Sequence, residues 1–230
     1  RSKTARVSAV VTQTAPRLST IPDHTTRPRH PMPFAGPIRL RCAAVEDART
    51  IAELVVIAGE GIPMWVWREE AEDGRDPLSV GAERAVRPDS MFSYRNAILA
   101  EHDGQVAGMM LGFRVDQPTG QDWAALAKVP SPLRPIVELE YQVPGAFYIN
   151  ALAVFARFRD LGVGTRLLQA AASRATALGC TKLAHQVFSG NRAAVRLYER
   201  NGFRQVDSRP MEPHPGHSLD GRVLLMVRPL

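Results

Sequence analysis

Tyr148-Ile-Asn-Ala-Leu-Ala-Val154, then Arg159-Asp-Leu-Gly-Val-Gly164, then Asn191-Arg-Ala-Ala-Val-Arg-Leu-Tyr-Glu-Arg-Asn-Gly-Phe203 are the segments of this 230-residue chain that decide its fold. They read as strand, glycine-rich turn, long helix, strand and short helix. The helix after Gly164 carries Leu167, Leu168, Ala171, Ala172, Ala175 and Leu178 on one face and stops at Gly179. Lys182 to Phe188 reads as a strand, and Asn191 lies near the start of a helix whose Ala194, Leu197 and Tyr198 share a face. Two glycines at a helix start let the backbone turn tightly enough for several free N–H groups to face one anion, and the helix dipole favours negative charge there. The turn suits a pyrophosphate, although Gly-x-Gly also serves simple packing. Without a Gly-Lys-Ser/Thr ending or a third glycine, it matches neither a triphosphatase loop nor a nicotinamide-dinucleotide fingerprint.

Outward from this stretch the chain is an alternation of helices and strands. Ile38 to Cys42 alternates as a half-buried strand, and Glu46-Asp47 opens a helix with Ile51, Leu54, Val55 and Ala58 at helical spacing, ended by Gly59 and Gly61. A second helix starts at Pro63, followed by acids at Glu69, Glu70, Glu72, Asp73 and Asp76. Ala97 to Ala100 and Val106 to Val115 flank Asp103-Gly104, a hairpin signal. Residues 116–145 break the rhythm with prolines and glycines around a short helix near Trp123 to Lys128, and insertions of this length are often functional. Beyond Phe203, a strand to Asp207, a turn-rich loop from Pro210 to Gly221 and a last strand from Arg222 to Val227 complete the pattern.

Composition bounds the reading. With 45% hydrophobic residues the chain can bury a sizeable core, and no apolar run reaches the roughly 18 residues of a membrane span. Neither a signal-peptide core nor a membrane partner is expected. Cys42 and Cys180 show no pairing or metal spacing, which suits a reducing, cytoplasmic setting. Residues 1–37 hold six prolines and no period, and read as an extended or disordered tail preceding a single domain over 38–230. The tail resembles a transit peptide in its Arg-rich, acid-poor composition, but its prolines oppose an amphipathic helix, and an upstream extension with Met32 as the natural start is an alternative. Residues 1–38 carry +5 of the formal +6 charge, so the folded part is nearly neutral and nucleic acid is not expected as a partner. His214 and His217 form His-x-x-His without further ligands nearby, and no metal is expected.

Taken together, Leu152-Ala-Val154, Arg159-x-x-Gly-x-Gly164, Asn191, Ala194, Leu197-Tyr198 and Asn201-Gly-Phe203 at these distances resemble the GNAT superfamily of acyl-CoA N-acyltransferases. The resemblance covers roughly residues 147–205. It implies a mixed α/β fold with a mostly antiparallel central sheet of about six or seven strands and flanking helices. It also implies acetyl-CoA as co-substrate and transfer of an acetyl group to a primary amine. Leu152, Ala153 and Val154 would offer strand-edge backbone to the pantetheine arm. Asp160, Leu161, Gly162, Val163, Gly164 and Thr165 would hold the pyrophosphate through backbone N–H groups, with Arg159 nearby. Asn191 would hydrogen-bond cofactor or substrate, where the residues alone equally suggest a helix N-cap. Tyr198 would protonate the leaving thiolate as general acid, where packing under the Asn-Gly-Phe turn is the alternative.

For the general base, some family members carry a glutamate where Tyr148 stands here. Glu138 and Glu140 shortly precede that strand and are the candidate catalytic carboxylates, with a water chain assisted by Tyr148 or Asn150, or a purely solvated role for the two acids, as alternatives. Residues 155–204 hold nine Lys/Arg against two acids, and residues 39–154 eleven against seventeen. A basic half suits the anionic co-substrate and an acidic half a cationic small-molecule or peptide amine. A homodimer is compatible with this reading. The competing function is a non-catalytic acyl-CoA-binding sensor on the same fold.

Overall fold

The computed structural model describes residues 36–72, 74–212 and 221–230. The expectations for residues 1–35, Met32 among them, and for His214 and His217 lie outside the described residues. Strands β1 (Arg39–Cys42), β2 (Ala97–His102), β3 (Gln105–Arg114), β4 (Phe147–Val154), β5 (Lys182–Phe188), β6 (Arg204–Pro210) and β7 (Arg222–Pro229) form one sheet in the order β1-β2-β3-β4-β5-β7-β6. Every neighbouring pair is antiparallel except β4 with β5. The mixed, mostly antiparallel sheet expected from the resemblance is therefore present with seven strands.

Helices α1 (Ala48–Ala58), α2 (Ile62–Glu70), α3 (Pro77–Val86), α4 (Gly120–Leu126) and α5 (Arg134–Glu140) lie between the early strands, and α6 (Val163–Ala177) and α7 (Arg192–Arg200) follow β4 and β5. Side chains alternate across the pleat, so β4 sends Tyr148, Ala151 and Ala153 into a core with Ile51, Leu54 and Trp67 from α1 and α2. Phe147 and Ile149 enter a second core with Leu167, Leu168, Ala171 and Tyr198 from α6 and α7. Among the described residues no helix is long and apolar enough to cross a membrane.

Two helices that the periodicity does not mark, α3 and α5, have local signatures in the sequence. Asp76 accepts a hydrogen bond from the Leu78 N–H and Pro77 fills the first turn, which starts α3. Pro135 does the same at α5, so its proline marks a helix start where loop was expected. As a result Glu138 and Glu140 sit on a helix of the insertion and do not continue into β4. The hairpin at Asp103-Gly104 is as expected, with both residues at positive φ.

The parallel ladder between β4 and β5 is short. It holds Phe147 opposite Leu183, Tyr148 opposite Ala184 and Ile149 opposite His185, and then stops. Against β3, Leu111 faces Ala151 and Gly112 faces Ile149, so Asn150 is an extra residue in β4, a bulge that bends the strand just past its last rung with β5. From there Ala151–Val154 stays with β3 and Gln186–Phe188 stays with β7, leaving an open wedge in the middle of the sheet.

Candidate active site

The wedge is the mouth of a cleft of about 520 Å³. One wall is the free edge of β4 at Leu152, Ala153 and Val154; the other is Gln186, Val187 and Phe188 of β5 with Asn191, Ala194, Leu197 and Tyr198 of α7. Its far end is the turn into α6. There Asp160 (φ 64°) and Gly162 (φ 81°) take left-handed conformations that curl the backbone into a concave nest, and Gly162 carries no Cβ to strain it. Among the described residues, no backbone hydrogen bond is donated by the N–H groups of Leu161, Gly162, Val163, Gly164 or Thr165. An anion with several oxygens fits this set of orphan donors at a helix N-terminus. Arg159 is held beside it by a 3.4 Å bond from Nε to the Val154 carbonyl. Gly164 has a second role: a Cβ there would come within 2.9 Å of Leu197, so its absence lets α6 and α7 approach. Of the residues expected to hold acetyl-CoA, all but the exposed Leu161 line the cleft.

Asn191 caps α7 by accepting from the Ala194 N–H at 3.0 Å, while its Nδ2 donates to Glu60 Oε1 at 2.7 Å. Both ends of the amide are thus engaged by the protein itself. Tyr198 is 2% exposed, with its ring between His185 (centroids 4.4 Å apart) and Phe203 (5.5 Å). Burial pushes its phenol far above the ordinary value, so it carries its proton at any physiological pH. A sulfur anion forming beside it would be desolvated too, which raises that anion's own basicity and keeps proton transfer to it feasible.

The two carboxylates expected to act in catalysis stand outside the cleft lining. Glu138 lies 3.6 Å from the Arg209 guanidinium. Glu140, at the end of α5, is close enough to Tyr148 for its charge to help raise that phenol, whose largest cause is burial, with Tyr198 contributing last. The charges of Glu140 and Tyr198 thus act on Tyr148 in the same direction. The helix that carries both acids is docked by the Gln186 amide on the Ile136 carbonyl at 2.8 Å and by a Gln142 bond to Asp207.

Two residues of the cleft escaped the sequence reading. Glu60, between the Gly59 and Gly61 that end the first helix, adopts φ 50° and lines the cleft, where its carboxylate accepts from the Asn191 amide. His185 lies within the strand read from Lys182 to Phe188. It is 7% exposed, its Nδ1 lies 2.6 Å from the Ile149 carbonyl oxygen, and burial lowers its pKa to about 4. Among the described residues no group of three His, Cys, Asp or Glu could hold a metal ion.

A seven-stranded sheet split between two parallel strands, with orphan N–H groups at one end of the split and a buried phenol in its wall, goes together here with a family match that makes the protein an acyl-CoA N-acyltransferase. The family model described as acetyltransferase (GNAT) family matches residues 63–203, more than half of the chain. The protein belongs to that family, whose members use acetyl-CoA as co-substrate and act on amine acceptors such as proteins or small molecules. Similar solved structures include an N-acetyltransferase from Staphylococcus aureus Mu50, at 20% identity, TM-score 0.58, and coverage of 82% of this chain and 99% of that one. Another is an acetyltransferase at 24% identity and TM-score 0.56, covering 83% and 98%. The ribosomal-protein-S18-alanine N-acetyltransferase from Escherichia coli follows at 15% identity and TM-score 0.51, covering 84% and 94%. At these identities the likeness is one of fold. No curated protein matches the chain.

Proposed function

We propose that the protein transfers an acetyl group from acetyl-CoA to a primary amine by direct attack of the neutral amine on the thioester carbon. The wedge between β4 and β5 carries this reading, because it ends in unbonded N–H groups and exposes strand edge beside a buried, protonated tyrosine. Acetyl-CoA supplies the acyl group in activated form. The nest of Asp160 to Thr165 binds its pyrophosphate, and the free edge of Leu152 to Val154 orients its amide arm. As the carbon–nitrogen bond forms and the carbon–sulfur bond breaks, Tyr198 gives its phenolic proton to the departing sulfur. A carboxylate takes the proton that the amine loses. Glu60 is the first candidate, since it faces the cleft directly, and Glu140 acting through Tyr148 is the second. Nothing about the site favours a non-catalytic sensor.

The acceptor we propose carries a positive charge besides the attacking amine, and fewer acids are free to face it than the sequence count implied. Asp47 and Glu101 pair with Arg41, Glu53 and Asp76 with Arg49, and Glu70 with Arg84. These charges are spent within the fold. Glu60 and Asp160 are the described acids that line the cleft, and Glu60 enters it from the α1–α2 side. A thiol-release assay with acetyl-CoA across primary amines tests the function. Release with at least one amine, fastest for amines bearing a second positive charge, is expected; no release with any amine, together with no acetyl-CoA binding at millimolar concentration, would overturn it.

A further inference from the structure

The geometry points to His185 as a positioning residue that holds Tyr198 in register with strand β4 across the wedge. This inference rests on the reading of Tyr198 as the acid. The surface on which acetyl-CoA is aligned belongs to β4, whereas Tyr198 belongs to α7, which follows β5. Past Ile149 and His185 these two walls share no rung. At that apex the imidazole supplies a tie of its own: Nδ1 lies 2.6 Å from the Ile149 carbonyl oxygen, so it is the N–H nitrogen of a neutral ring and Nε2 carries the lone pair. The register places Ile149 opposite Gly112 on one side and His185 on the other, and the imidazole adds a side-chain bond to its carbonyl at the last rung the two walls share.

The same ring lies against Tyr198 at 4.4 Å and a 38° tilt, with Phe203 closing the other side at 5.5 Å and 73°. A bond to β4 at one edge and a stacked phenol on one face make a single rigid link from strand to acid. An apolar side chain could fill the space. It could not bind the carbonyl.

The test is a double-mutant cycle with His185→Leu, Tyr198→Phe and both together, following kcat, the dissociation constant of acetyl-CoA and melting temperature. His185→Leu is expected to lower kcat roughly tenfold with acetyl-CoA affinity within about threefold, and the double variant to be no slower than Tyr198→Phe, since a group acting through another is silent once that other is gone. His185→Asn, whose amide N–H takes the place of the Nδ1–H, recovers part of the rate. His185→Phe keeps the ring and loses only the donor, and it gives the same cycle where the leucine variant fails to fold. Rate losses that multiply in the double variant, or a His185→Leu enzyme at the wild-type rate beside a slow Tyr198→Phe, would overturn this inference alone. A Tyr198→Phe enzyme at the wild-type rate would overturn the acid and this inference together.

Discussion

The two walls of the wedge are built by different rules. The α6–α7 side is made of backbone: left-handed residues, orphan N–H groups and a glycine that admits a neighbouring helix, with Tyr198 buried in its wall. The α1–α2 and α5 side is made of side chains: Glu60 stands on a turn at φ 50°, and Tyr148 of β4 and Gln186 of β5 meet the inserted helix at Glu140 and Ile136. Backbone sites recognise what all members of a family share, because any sequence with the right turn presents the same N–H groups. Side-chain sites recognise what differs, because one substitution changes charge and shape at once. The contrast teaches that co-substrate binding and acceptor choice can be broken separately here.

The largest effect should come from the backbone wall. Gly164→Glu places a carboxylate in the nest and its stem against Leu197, and acetyl-CoA affinity should fall at least about 100-fold, measured by calorimetry. Gly164→Ala separates bulk from charge. The leucine tip that its Cβ meets is mobile, so a far smaller loss is expected. If alanine and glutamate were equally damaging, the glycine would be needed for helix packing alone, and the nest would lose its support.

Next in size is Tyr198→Phe. It keeps the packing between His185 and Phe203 and removes the proton, so kcat should drop about 100-fold with acetyl-CoA binding unchanged. Steady-state kinetics together with calorimetry checks this split, and equal losses in rate and affinity would make the phenol a binding group.

The side-chain wall should respond more mildly and more selectively. Glu60→Gln preserves an acceptor for the Asn191 amide but removes the charge. KM for a cationic amine should rise about tenfold, roughly 1.4 kcal/mol, while KM for acetyl-CoA stays the same. A neutral amine of similar size should keep its KM, and kcat should fall for both amines because Glu60 is also the first candidate for the base. An equal rise in KM for both amines would mean that the carboxylate shapes the turn at Glu60 and does not read charge.

This division also explains what could be seen in the sequence. The backbone wall was legible from Arg159 to Gly164 and from Asn191 to Phe203, because turn chemistry and helix periodicity are local and leave fixed spacings. The mostly antiparallel sheet of about six or seven strands came with the family resemblance that those segments carry, and the structure has seven. The side-chain wall was not legible, since Glu60 and Asn191 are 131 residues apart and meet only because β4 and β5 diverge. Likewise the function of His185 depends on a carbonyl 36 residues away. Proline misled the reading of 116–145, where Pro135 opens the helix that bears Glu138 and Glu140. The charge count of the first half misled in another way, for it could not distinguish an acid facing substrate from one already paired.

The smallest effect tests that last distinction. Asp47 lies in the acidic half but binds Arg41 at 2.7 Å and caps the turn by accepting from the Ala44 N–H at 2.8 Å. Arg41 is the main cause that holds its carboxyl below the usual range, against a smaller opposing push from burial, and the Ala44 bond adds to the lowering. A carboxylate with a depressed folded pKa contributes stability that is complete above its unfolded value of about 3.9 and fades as pH falls through the lower folded value. Arg41 is 38% exposed, so the contribution is screened, and Asp47→Asn should cost about 1 kcal/mol in urea unfolding at pH 7. The gap between variant and wild type should close as the solution is taken below the unfolded value and on through the lower folded one, where the wild-type carboxyl becomes neutral as well. Turnover and both KM values should not move. If instead KM for a cationic amine rose as it does for Glu60→Gln, the whole acidic half would be attracting substrate, and the separation between paired acids that hold the fold and one acid that faces the cleft would fail.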